Sequence, residues 1–199
     1  MTVIRQEDLI ESIADALQFI SYYHPLDFIR AMRGAWEKEE SPSAKAALTQ
    51  VLVNSRMCAI GKRPICQDTG IVNVFISVGM DVSWEADMSL EDMINEGVRR
   101  GYTHPENVLR GSVLEDPDGA RANTKDNTPA VIHPRIVPGD KIEIEANCST
   151  PKQTPVSDCK VSRSSNQAHD GKEVEEVQAE GGAEGRWRCP CPCSRECGH

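Results

Sequence analysis

The sequence predicts an α+β fold, in which a block of helices is followed by mixed strands and helices. Apolar residues recur at helical spacing as far as residue 60, and they alternate with polar residues from residue 71 onward. A third observation concerns the C-terminal part, since residues 148–199 contain no Leu, Ile, Phe, Met or Tyr. We therefore expect an ordered domain over residues 1–146 and a disordered tail over residues 147–199.

Three helices are predicted within residues 3–60. In EDLIESIADALQFISYY the apolar residues have helical spacing, and Pro25 should end this helix near His24 because proline disfavours helical backbone in the preceding residue. PLDFIRAMRGAWEKEE repeats the pattern, and the third helix begins with Ser41 as N-cap and Pro42 at its first position. The second helix repeats the pattern with Leu26, Ile29, Met32 and Trp36, and the expected buried stripe of the third helix is Leu48, Val51 and Leu52.

The second half of the predicted domain mixes strands with one more helix. GIVNVFISVGMDV alternates apolar and polar residues, which predicts a strand that is at least half-buried. SLEDMINEGVRRGY returns to helical spacing, with Ser89 and Asp92 placed as a capping box. RANTKDNTPAVIHPRIVPGDKIEIEA predicts a loop, a short strand, a turn at Pro138-Gly139-Asp140 and a second strand.

Composition excludes several classes of protein. The chain has 199 residues and is 39% hydrophobic, which permits a packed core. Its net charge of -9 argues against a nucleic-acid partner. No apolar stretch has the length of a membrane span. The first residues, MTVIRQEDLIES, lack the basic and apolar regions of a secretory signal, so we expect a cytoplasmic protein.

The eight cysteines are distributed unevenly. Cys58 and Cys66 precede residue 148, whereas the other six lie in the C-terminal part, at Cys148, Cys159, Cys189, Cys191, Cys193 and Cys197. The spacing in CPCPCSREC differs from common zinc and ferredoxin patterns. The sequence therefore predicts no metal site of those types in the tail.

The segment RPICQDTG places a thiol, an amide and a carboxylate directly before the predicted strand. A lone cysteine such as Cys66 is often a small buried hydrophobe, and an aspartate such as Asp68 is often a turn residue. Polar neighbours cannot follow Cys66 into an apolar core, and Gly70 permits a sharp turn that would present them together. A metal-binding or reactive thiolate needs such an open position.

Three long segments carry a resemblance to a known family. They are VNSRMCAIGKRPICQDTGIVNVF, DMSLEDMINEGVRRGYTHPENVLRGSV and NTKDNTPAVIHPRIVPGDKIEIE. The chain resembles the class I fumarases, which are iron–sulfur hydro-lyases, over residues 1–146. The α subunits of L-tartrate dehydratases share the pattern less closely.

The resemblance implies a 4Fe–4S cluster held by cysteines, with one iron open to act as a Lewis acid. Cys66 would be the first cluster ligand. Gln67 and Asp68 would contact the substrate, with Asp68 as the catalytic residue. Arg110 would grip a substrate carboxylate, although it also fits a surface arginine at a helix end. The segment NTKDNTPAVIH receives no role, because turns and structural asparagines explain it equally well.

The implied reaction is the reversible hydration of fumarate to malate, in a family expected to form homodimers. After KIEIE, however, the family continues with a glycine-rich segment and a second ligand cysteine, whereas this chain has ANCSTPKQTPVSDCKV. We interpret the change as a frameshift or a mispredicted gene end. Three hypotheses stay open: a truncated fumarase, an α-subunit-type fragment of L-tartrate dehydratase, and an inactive fragment with a thiol-rich, metal-scavenging tail.

Overall fold

A computed structural model of the chain describes residues 2–67, 70–149, 158–163 and 177–178. Within these ranges the helices are α1 (Gln6–Tyr22), α2 (Leu26–Lys38), α3 (Pro42–Gly61) and α4 (Leu90–Tyr102). The strands are β1 (Val3–Arg5), β2 (Ile71–Gly79), β3 (Ser83–Glu85), β4 (Val131–Val137), β5 (Ile142–Ser149), β6 (Asp158–Arg163) and β7 (Val177–Gln178). The predicted α+β fold class is confirmed.

The strands form two sheets. The larger has the order β4-β2-β5-β6-β7, with β2 and β4 parallel and the other neighbours antiparallel. The smaller pairs β1 with β3 in parallel. Sequence periodicity did not reveal this pair, because three residues are too few to show an alternation. The helical block was predicted from residue 3, but residues 3–5 form β1.

The core lies between one face of the larger sheet and the helices α1 and α4. Alternate residues of β2 and β5 face these helices, as the predicted periods of two and 3.6 require. The most deeply buried core side chains include Val72, Val74, Ile76, Ile142, Ile13, Leu17, Ile94 and Val98. This packing fixes the N-terminal end of β2, which directly follows the RPICQDTG segment.

The predicted buried stripe of α3 is only half-buried at Leu48 and Leu52, and it is exposed at Val51. No residue of α2 is buried, and α3 buries only Ser55 and Cys58. Val51 is 38% exposed. The two helices pack mainly on each other, where the indole of Trp36 donates a 2.8 Å hydrogen bond to the Thr49 hydroxyl. In such a pair, each helix covers only part of the apolar stripe of the other. Periodicity alone therefore overstates how deeply the stripe is buried.

The local signals at the helix ends were mostly correct. Ser89 is the N-cap of α4, where its hydroxyl oxygen accepts from the Asp92 amide at 3.1 Å. Ser41 is the N-cap of α3, but its hydroxyl lies 3.1 Å from that of Ser43 and makes no capping bond. Gly139 adopts a φ of 109° in the predicted turn, where a side chain would be strained.

The predicted tail, residues 147–199, falls mostly outside the described residues. Strand β5 continues past the predicted boundary at residue 146 and ends at Ser149. Beyond it, β6 pairs with β5, and β7 pairs with β6. None of the helices in the described ranges is long and apolar enough to cross a membrane.

Candidate functional site

The loop that carries Cys66 is anchored immediately before that residue. Lys62 ends α3 in the left-handed conformation, with a φ of 46°, and turns the chain back toward α1. The amide of Ile65 then donates to the Ser21 carbonyl at 2.8 Å. The carbonyl of Ile65 accepts from the Asn54 side chain at 3.1 Å. Two helices thereby fix the backbone on one side of Cys66.

Cys66 and Gln67 are both exposed, so Cys66 is not a small hydrophobe buried in the core. Asp68 and Thr69 lie outside the described residues. Gly70 is buried and has a φ of 59°, which glycine adopts without strain. That a turn here presents Cys66, Gln67 and Asp68 together stays a prediction, because the described residues resume only at Gly70.

Cys58 and Cys148 occupy different surroundings from Cys66. Cys58 is buried, and its sulfur lies 3.6 Å from the Pro64 carbonyl; burial, with a smaller contribution from Cys66, raises its pKa. Cys148 is half-buried, with its sulfur 3.5 Å from the Tyr102 hydroxyl, and burial raises its pKa to about 11. Both thiols pack against the core instead of opening to solvent.

Arg110 lies in the segment that follows α4. The preceding residue, Leu109, is buried, and its amide donates to the Tyr102 carbonyl at 2.9 Å. The Arg110 side chain is exposed. Because α4 ends at Tyr102, Arg110 belongs to a loop and not to a helix end. At Gly111 the backbone touches the next loop so closely that a Cβ would lie 2.9 Å from the Lys125 carbonyl oxygen.

A buried amide network supports both segments from α1. The Gln18 side chain donates to the Asn107 carbonyl at 2.9 Å, and the Asn107 side chain donates back to the Gln18 oxygen at 2.9 Å. Gln18 also donates to the Gly101 carbonyl at 2.6 Å. The Asn107 amide further reaches the hydroxyl of Ser21, whose carbonyl holds the Cys66 loop.

The two segments meet directly at Gly70. Its carbonyl accepts from the Ser112 hydroxyl at 2.7 Å and from the Asn127 side chain at 3.1 Å. The structure therefore joins the C-terminal end of the Cys66 loop to the residues just after Arg110. That all four predicted site residues face one cleft stays a prediction, because Asp68 is not among the described residues.

Sequence reasoning missed the residues that join these segments. Gln18 lies on the buried side of a regular helix, where periodicity predicts only packing. Asn107 and Asn127 lie in irregular segments without a period. The one available signal was asparagine's tolerance of left-handed backbone, which Asn127 adopts with a φ of 61°.

The exposures of the three described thiols predict an order of alkylation. We expect iodoacetamide to modify Cys66 first, at least about tenfold faster than Cys58 or Cys148, because burial hinders access and lowers the thiolate fraction. Peptide mapping of the native chain by mass spectrometry measures the three rates. Denatured protein is the control, in which the rates should converge. Equal native rates would contradict the described surroundings.

Two comparisons with known proteins bear on the family of this chain. The family model described as Fumarate hydratase (Fumerase) matches residues 10–150. A protein of Methanocaldococcus jannaschii, provisionally named L(+)-tartrate dehydratase subunit alpha, is 28% identical over 88 residues. That alignment covers 44% of this chain and 31% of the relative, so the match spans less than a third of the relative's length. Since the family model covers well over half of the chain, this chain belongs to the fumarate hydratase (Fumerase) family.

Proposed function

We propose that this chain carries part of the site of a hydro-lyase that interconverts fumarate and malate. The observation that carries the proposal is the junction at Gly70, where the Cys66 loop is hydrogen-bonded to the segment bearing Arg110. Family membership supplies the reaction class. The junction explains how residues far apart in the sequence would serve a single substrate.

Each proposed site residue has a role suited to its chemistry. Arg110 would bind a carboxylate of the dianionic substrate through its planar guanidinium. Gln67, exposed beside Cys66, would donate to the substrate from its amide. Asp68 would be the catalytic residue, taking a proton from the carbon next to the hydroxyl-bearing carbon when malate is dehydrated.

Members of this family use iron–sulfur clusters, and we propose Cys66 as one ligand. Its exposed thiol fits that role, since a ligating cysteine must be able to reach the metal. Among the described residues, however, no three His, Cys, Asp or Glu side chains lie together. Cys58 is buried beside the Cys66 loop, against the Pro64 carbonyl, and Cys148 lies against Tyr102. The described residues therefore supply one proposed cluster ligand, Cys66, and do not form a complete cluster site.

A related dicarboxylate, L-tartrate, is the second candidate substrate. The observation that favours it is the relative in Methanocaldococcus jannaschii, whose name is that of an L(+)-tartrate dehydratase subunit. Tartrate, like fumarate, carries two carboxylates, so the proposed contact with Arg110 serves both. The two substrates differ in the hydroxyl groups, which tartrate has and fumarate lacks. Residues that hydrogen-bond to those hydroxyl groups would have to distinguish them.

The proposed role of Arg110 predicts protection from an arginine reagent. We expect saturating fumarate or malate to slow the modification of Arg110 by phenylglyoxal at least about threefold, because a bound carboxylate covers the guanidinium. Mass spectrometry of the modified peptides measures the rate. L-tartrate in a parallel sample tests the second candidate, since stronger protection by tartrate would favour it.

Two controls make this result specific. Arg121 is exposed in a neighbouring loop and has no proposed role, so its modification rate should not change. Acetate at matched ionic strength should protect Arg110 less than fumarate does, because it lacks the second carboxylate that the rest of the site would bind, and it should not protect Arg121. Equal protection of Arg110 and Arg121, or none at Arg110, would contradict the substrate assignment.

We also propose that the chain is a truncated or frameshifted form of a cytoplasmic, homodimeric enzyme. Two observations support the frameshift. The family match ends at residue 150, and residues 148–199 contain no Leu, Ile, Phe, Met or Tyr. The nucleotide sequence downstream of the Glu145 codon tests it. A second reading frame that encodes the missing family cysteines is the expected result.

A further inference from the structure

We propose that Asn127 is a positioning residue that clamps the loop bearing Cys66 to the segment bearing Arg110. The proposal rests on the function proposed above for the roles of those two residues. The clamp itself rests only on contacts of Asn127 that the structure describes. Asn127 lies in the segment NTKDNTPAVIH, to which the sequence assigned no role.

The Asn127 side chain is completely buried and uses both ends of its amide. Its oxygen accepts from the backbone amides of Ser112 at 2.7 Å and Val113 at 3.2 Å. Its nitrogen donates to the Gly70 carbonyl at 3.1 Å. One side chain therefore bonds to the backbone on the C-terminal side of Arg110 and to the backbone that ends the Cys66 loop.

The surrounding contacts leave little freedom at this junction. The Ser112 hydroxyl donates to the same Gly70 carbonyl at 2.7 Å. Gly111 lies directly against the backbone of Lys125, where no Cβ would fit. The Tyr102 hydroxyl also contacts Asn127 from the core side. Loss of the Asn127 amide would remove the acceptor of the Ser112 and Val113 amides and leave the Gly70 carbonyl with the Ser112 hydroxyl alone, which is costly.

The chemistry of the clamp is specific to an amide. It must accept on one side and donate on the other, and a carboxylate can only accept. Aspartate at this position would keep the bonds to Ser112 and Val113 but would turn a negative oxygen toward the Gly70 carbonyl. A protonated carboxyl group would restore the missing donor. In Asn127→Asp the clamp should therefore be weakened when the new carboxyl group is ionised and restored when that group is protonated.

Hydrogen–deuterium exchange of the 199-residue chain, without substrate, tests the clamp. Asn127→Gly removes the side chain but keeps a residue that tolerates a φ of 61°. We expect the peptides covering residues 62–72 and 108–114 to exchange about tenfold faster, both together, with α1 and α4 unchanged. The matched control is Lys125→Gly, at an exposed residue of the same loop with a φ of 69°, which should leave residues 62–72 unchanged.

The pH profile of Asn127→Asp separates positioning from general loosening. Relative to the unmodified chain at each pH, exchange in both peptides should be about tenfold faster near pH 8 and close to equal near pH 5. Burial raises the pKa of a carboxyl group, so the aspartate should be protonated near pH 5 and ionised near pH 8. Burial raises the pKa of Tyr102, which faces this site. Burial also raises the pKa of Cys148, beside Tyr102, to about 11. Neither group therefore titrates between pH 5 and pH 8.

Several outcomes would overturn the clamp. They are faster exchange in residues 108–114 alone, equal effects of Asn127→Gly and Lys125→Gly, and a ratio for Asn127→Asp that does not change with pH. These measurements contain no substrate and no metal. If fumarate and malate failed to protect Arg110 from phenylglyoxal, the proposed function would be refuted and the clamp would still stand. If the exchange experiments failed, the clamp would be refuted and the proposed function would still stand.

Discussion

Anaerobic reconstitution of the 199-residue chain with iron and sulfide is expected to give no appreciable hydration of fumarate. A cluster needs several thiolates placed around one point, and of the three cysteines whose side chains are described, Cys58, Cys66 and Cys148, only Cys66 is exposed. Catalysis further requires that the cluster, Gln67 and Arg110 be held to within about 0.5 Å of a productive geometry. Iron captured by other cysteines would not meet that condition.

The measurement is a spectrophotometric assay of malate formation under anaerobic conditions, with iron and sulfide content determined on the same sample. Cys66→Ser and Cys58→Ser provide matched variants, because one removes the proposed ligand and the other a packed thiol. Turnover of many molecules per second that is lost in Cys66→Ser and kept in Cys58→Ser would contradict the expectation. It would show that cysteines after residue 148 complete the cluster.

The fold shows where sequence periodicity carries information. In β2 the alternation of Val72, Val74 and Ile76 correctly predicted a half-buried strand, because one face packs on α1 and α4 while the other does not. In α3 the same kind of reasoning failed at Val51, which is exposed. A period reports that a helix has an apolar side. It does not report whether a sheet or a single neighbouring helix covers that side.

In the candidate site, too, the sequence predicted some features and not others. The RPICQDTG segment indicated an open thiol, and Cys66 is indeed exposed. The contacts that tie its loop to α1 and to the Arg110 segment involve the backbone carbonyls of Ser21 and Gly70, and every residue possesses such a carbonyl. No residue type marks those acceptors in a sequence. The role of Asn127, which donates to the Gly70 carbonyl, becomes visible only when the fold brings distant segments together.

The helices that carry this scaffold meet at Gly97, where we expect Gly97→Ala to destabilise the chain. A Cβ there would lie 2.8 Å from the Cβ of Ile13 and 2.9 Å from the Ile10 carbonyl oxygen. Neither the carbonyl nor a Cβ can rotate away, so α1 and α4 would have to separate. Overpacking of this kind costs about 1–3 kcal/mol, and it outweighs a gain in helix propensity of about 1 kcal/mol.

Gly34→Ala is the matched control, since it makes the same change inside another helix and should have the opposite sign. Nothing lies within 4 Å of a Cβ built at Gly34 in α2, so helix propensity alone acts and should stabilise by about 0.5–1 kcal/mol. Thermal and urea unfolding followed by circular dichroism measures both variants. If Gly97→Ala raised the free energy of unfolding as Gly34→Ala does, α1 and α4 would not be packed as closely as described. The contacts through which Gln18 reaches Asn107 and Gly101 depend on that close approach, so the two alanine variants also test the scaffold beneath the candidate site.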